Sequence, residues 1–148
     1  MENKNIRLLV TVLKDLELPM QESSARRRFM RLLTPLYDDV ELELHELKKK
    51  YADKNPDGQI KTVGNQLQFT LENRRKFNED QENLMSINAP VDAKGHEQDV
   101  QTVITILSRF VQEFEAAHKD QKFNSDDFDM LERIKEAKDQ VAMLVNVA

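Results

Sequence analysis

The sequence predicts a mainly α protein: a bundle of about five helices, one of them long and kinked, with a small β-hairpin near residues 59–69. Three observations predict it. Phe29, Leu33, Leu36, Val40, Leu44, Leu47 and Tyr51 recur at about the 3.6-residue helical period, with charged or polar residues between nearly all of them. Only 3 glycines and 4 prolines interrupt 148 residues, which favours long helices over many short strands. Hydrophobic residues make up 39% and charged residues 33%, as expected of a helical protein with a large solvated surface.

Each element has its own signal. The first helix is expected from Asn3 or Asn5 to Leu16, with Ile6, Leu9, Leu13 and Leu16 as its stripe, widened by Val10 and Val12. Leu18-Pro19 ends it, because proline cannot donate an amide and disfavours helix in the residue before it. Ser23 or Ser24 offers an N-cap for the long second helix, which reaches about Ala52 and spans roughly 45 Å. Pro35 lies inside it; the stripe keeps phase across the proline, so a kink is expected and not a break.

Asn55-Pro56-Asp57-Gly58 is a turn signal, and the stretch from Gln59 to Phe69 alternates as a hairpin turning near Gly64-Asn65 would. The third helix is expected over Leu71–Ile87, half exposed, since its apolar positions are few. Asn88-Ala89-Pro90 breaks the chain, and Val91-Asp92-Ala93 reads as one more short strand. The fourth helix runs from about Glu97 to His118, with Val100, Val103, Ile104, Leu107, Phe110, Val111, Phe114 and Ala117 on one face. Asn124 or Ser125 caps a fifth helix striped by Phe128, Leu131, Ile134, Ala137 and Val141. These faces are expected to bury one another in a single domain, residues 1–148, without repeats or linkers.

Composition narrows the function classes. Cysteine is absent, which removes disulfides, thiol catalysis and thiolate metal sites. No apolar run approaches the ~18 residues of a membrane span, and Met-Glu-Asn-Lys-Asn lacks the basic region of a secretory signal. A soluble, cytoplasmic protein with no membrane partner is expected. The formal charge of −5 repels nucleic acid at long range, so nucleic acid is not the expected partner unless a basic face is segregated.

One such cluster exists. Arg26, Arg27 and Arg28, followed by Arg31, lie near the start of the long helix, where four cations oppose the helix dipole. They read either as a docking patch for an acidic protein or for phosphates, or as ion-pair partners of Asp38, Asp39 and Glu41 or of Asp126-Asp127. Arg74-Arg75-Lys76 and Lys48-Lys49-Lys50 spread around their helices and read as solvated surface.

Glu115-Ala116-Ala117-His118 has the Glu-x-x-His spacing of helical di-metal sites, but the motif is not repeated. Glu43 with Glu46 and Glu79 with Glu82 have the Glu-x-x-Glu spacing of Mg²⁺-dependent nucleotide hydrolases, yet lack a matching pair within a short helical hairpin. Gly58, Gly64 and Gly95 are isolated and form no phosphate loop. No enzyme activity, metal or cofactor is expected.

The stretch from about residue 6 to 58 resembles an uncharacterised family of small helical proteins from tailed phages of Gram-positive bacteria. The likeness lies in Leu16-Glu17-Leu18, in Ser23-Ser24-Ala25-Arg26-Arg27-Arg28-Phe29, in Leu47-Lys48-Lys49-Lys50-Tyr51-Ala52 and in the Asn55–Gly58 turn. Arg26, Arg28 and Phe29 match its recurrent positions best. The resemblance implies a phage origin, expression in the bacterial host cytoplasm and no catalytic residues. The expected function is therefore a non-catalytic accessory or assembly protein that binds a viral or host protein. The alternative is a regulator that binds or mimics nucleic acid. Leu8, Val12, Met30, Leu42 and Met143 lie off the main stripes and could support a homo-oligomer.

Overall fold

The computed structural model describes residues 1–118 and 124–145. The chain is a mainly α bundle with five helices and one two-stranded antiparallel hairpin among the described residues. The order is α1 (Asn3–Lys14), α2 (Met20–Tyr51), β1 (Thr62–Val63), β2 (Gln66–Leu67), α3 (Leu71–Ser86), α4 (Glu97–Ala117) and α5 (Ser125–Met143). Packing divides it into two compact units: Met1–Tyr37 with Asn88–Ala148, and Asp38–Ile87. The long helix contributes its first half to one unit and its second half to the other.

Four helical faces close the first unit. Ile6, Leu9 and Leu13 of α1 meet Phe29 and Leu33 of α2, Val100, Val103 and Leu107 of α4, and Leu131, Ile134 and Val141 of α5. Two expected faces are displaced. Leu8, off the α1 stripe by periodicity, is buried, and so is Ile106 of α4, because these helices are covered on more than one side. Ala117, at the end of α4, and Phe128, in the first turn of α5, are both exposed. The amino terminus is tied in by backbone bonds between Met1 and Ala89 at 2.8 and 2.9 Å. The Gln140 side chain pairs with Glu2 twice at 3.0 Å.

That pairing corrects one expectation. No strand forms at Val91–Ala93; the extended pairing falls earlier, as a bridge between Asn88 and Glu2. The Asp92 side chain instead accepts the Lys94 amide at 3.0 Å and turns the chain toward Gly95, whose φ of 82° suits glycine.

The start of α2 is also corrected. The helix begins at Met20, and Ser23 and Ser24 lie inside it. The Pro19 carbonyl takes the Ser23 amide at 2.8 Å, so a proline that ends one connection opens the next helix. Pro35 does not break α2. It sits on the exposed side of the helix and removes the amide that the Arg31 carbonyl would otherwise accept.

The second unit has a smaller core. Val40 and Leu44 of α2 pack with Phe77 and Leu84 of α3, flanked by Leu47, Tyr51, Phe69 and Met85. Phe69 and Phe77 rings lie 5.0 Å apart, and the Tyr51 hydroxyl donates to Asp80 Oδ2 at 2.6 Å. The hairpin turns at Gly64 and Asn65, both with positive φ (57° and 65°), the combination that matches strand twist in a two-residue turn. A second turn, Asn55–Gly58, is nested against it through Asp53, whose amide donates to Gln68 O at 2.7 Å. The strands themselves bury little. Val63 is exposed, and of the alternating residues Phe69 is the one that packs into this unit's core.

Candidate functional site

The arginine cluster divides into two pairs with different roles. Arg26 is half-buried and turned back on the preceding connection. Its guanidinium donates to Leu13 O at 2.8 Å, to Leu16 O and to Ser23 Oγ at 3.1 Å. A helix end leaves its last carbonyls without amide partners, and a cation there also complements the dipole. Arg26 therefore fastens the α1–α2 turn.

Arg28 forms a two-pronged pair with Asp99 in the first turn of α4, Nε and Nη2 each 2.9 Å from a carboxylate oxygen. His96 Nδ1 lies 3.6 Å from the same carboxylate. The Arg28 guanidinium, more than the His96 ring, holds the Asp99 carboxyl below the usual carboxylate range. The internal partner of the cluster is thus Asp99, not the Asp38, Asp39, Glu41 or Asp126-Asp127 carboxylates that the sequence offers. A matching pair was not foreseen: Arg109 of α4 grips Glu22, in the first turn of α2, its Nη1 and Nη2 each donating to one carboxylate oxygen. That contact holds the Glu22 carboxyl low in the same way. Residue 22 meets 109 and residue 28 meets 99, so the first half of α2 and α4 run in opposite directions.

These two pairs predict a pH dependence. Each carboxyl has a lower pKa folded than unfolded, so its contribution is complete at neutral pH and is lost as pH falls below about 4. Acid unfolding followed by circular dichroism is expected to show the double variant Glu22→Gln, Asp99→Asn less stable than wild type at pH 7. The gap should close toward about pH 2. A gap that stays constant with pH would remove this account. Both pairs are partly solvated, so added salt should shrink the difference.

Arg27 and Arg31 remain. They lie one turn apart on α2, both are exposed, and neither has an ion-pair or hydrogen-bond partner among the described residues. Arg27 borders a hollow of about 550 Å³ whose wall includes Leu18, Ser24 and Met20, the last 84% exposed.

The other candidate motifs are dispersed. Glu115 pairs with Lys135 at 3.3 Å, while His118 turns its Nδ1 to Phe114 O at 2.7 Å and stacks on the Phe114 ring. Arg74 lies over the Phe69 ring, Lys50 over Tyr51, and Lys76 pairs with Glu72 on its own helix. Among the described residues, no three histidine or acidic side chains converge as an ion would require. Glu43 and Glu46 do share a setting: with Asp80 they flank an apolar groove between α2 and α3. Sequence reading missed this groove. Its one signal was Leu42, an aliphatic residue off the α2 stripe. No described helix is long and apolar enough to cross a membrane.

Compared with known protein families, curated proteins and solved structures, the chain matches none.

Proposed function

We propose that this chain is a non-catalytic interaction protein, an accessory or assembly factor of a tailed phage, which binds an acidic surface of a viral or host protein. One observation carries this reading: Arg27 and Arg31 lie exposed on one face of α2, with no ion-pair or hydrogen-bond partner among the described residues. Guanidinium groups in that state pair with carboxylates in a fixed fork geometry, and the neighbouring Met20 gives the patch an apolar anchor. The phage assignment rests on the resemblance over residues 6–58.

The reading is tested by affinity purification from infected cells with wild type and with Arg27→Glu, Arg31→Glu. A recurrent partner should fall by about ten-fold or more with the variant, since charge reversal at a docking face replaces attraction with repulsion. Unchanged recovery removes the patch as the docking site.

The alternative, a regulator that binds or mimics nucleic acid, has less support. Of the four arginines, Arg26 and Arg28 are occupied internally, which leaves two for phosphates. Retention on DNA at low salt that is lost steeply at moderate salt would favour it. Of the apolar residues considered for self-association, Leu42 and Met143 remain well exposed, Val12 and Met30 are half-buried, and Leu8 is in the core.

A further inference from the structure

The second unit carries a groove of about 470 Å³ between the end of α2 and α3. Leu42, Leu47, Leu84 and Ile87 line it. Leu42 is 61% and Ile87 53% exposed, although both are large aliphatic side chains on well-formed helical turns or at a helix end. The rim is acidic. Glu43, Glu46 and Asp80 line the same groove, with Asn83, and among the described residues no cation does. Lys49 lies 3.8 Å from Glu46, in a pair whose side chains are both more than half exposed. Such a pair yields readily to a better-placed cation. Tyr51 fixes one oxygen of Asp80 and holds that carboxylate at the groove wall.

We propose that this groove is a docking site for a basic amphipathic helix of a partner protein. The site is independent of the Arg27–Arg31 reading, because it uses different residues and the opposite charge. Aliphatic walls on two helices accept a third helix through side chains at i, i+3 or i+4 and i+7. The groove edge from Asp80 to Ile87 spans seven residue steps, about 10 Å, which matches the i to i+7 repeat. Lysines or arginines flanking the apolar stripe then meet Glu43, Glu46 and Asp80. A second copy of this chain is the poorer occupant: a two-fold pairing through this face sets the same carboxylates against themselves.

The test uses a synthetic helix of about 15 residues with leucines on one face and lysines on its flanks. The full chain is titrated with it by NMR and calorimetry. Amide shifts are expected to concentrate in residues 42–47 and 80–87. Glu43→Lys, Glu46→Lys should weaken binding by about ten-fold or more, and Leu42→Ser should weaken it without changing the charge of the groove. Asp129→Lys, Glu132→Lys, an equal charge change on an exposed part of α5, should leave binding intact. A Leu/Glu peptide of the same pattern should not bind. Equal weakening by both charge-reversal pairs, shifts elsewhere, or a groove protected by self-association in sedimentation would each overturn the proposal.

Discussion

Phe29→Ala is expected to lower stability by about 3–5 kcal/mol, because a fully buried aromatic ring leaves both lost transfer energy and a cavity. The site is unforgiving for a specific reason. Phe29 lies in a cluster that also takes Leu13 from α1, Leu107 from α4 and Ile134 from α5, each essentially without solvent contact. No single neighbour can move into the void without leaving its own contacts. Set against a typical total of about 5–15 kcal/mol, the loss is large enough to shift Tm by on the order of 10 °C. Urea unfolding of Phe29→Ala beside Leu71→Ala checks it. Leu71 is 88% exposed, so its variant should fall within about 0.5 kcal/mol of wild type. A Phe29 variant that loses under about 1 kcal/mol would show that the first unit's core is not packed as described.

Phe77→Ala is expected to cost about 3–5 kcal/mol as well, but in a different place. The second unit has four buried apolar side chains in its cluster, and Phe77 is the largest of them. Its loss also removes the Phe69 ring contact at 5.0 Å. The two clusters have no residue in common, so hydrogen exchange should report the damage locally. Amides of α3 and of the second half of α2 should exchange faster, while those of α1, α4 and α5 keep their protection. Equal loss of protection in α4 would mean that the two units unfold as one.

Much of the secondary structure was legible because its signals are local. Asn124 caps α5 by accepting an amide of the first turn, and Gly64-Asn65 makes the tight turn. Boundaries shifted where a group found a partner other than the expected one. Ser23 has the makings of a cap but sits within α2, its hydroxyl taken by Arg26. Val91–Ala93 has strand-like residues, yet the backbone that found an extended partner was Asn88, across from Glu2.

The candidate site was legible only as a composition. Four arginines close together are visible in any reading, and their spacing puts Arg27 and Arg31 on one face. Which of them are spent inside the protein depends on Asp99 and on two carbonyls of the α1 end, partners 71, 13 and 10 residues away. Likewise Leu42 and Ile87 are 45 positions apart, and their shared groove exists only because α3 returns along α2.

The sequence by itself determined the helices, the hairpin turn and most of the apolar faces, since periodicity, capping and positive-φ chemistry act within a few residues of chain. The tertiary structure decided which faces meet: α2's continuous stripe serves one cluster through Phe29 and Leu33 and another through Val40 and Leu44. A stripe records that a side must be buried, but carries no mark of what buries it, and the same limit hid which charges are answered within the fold.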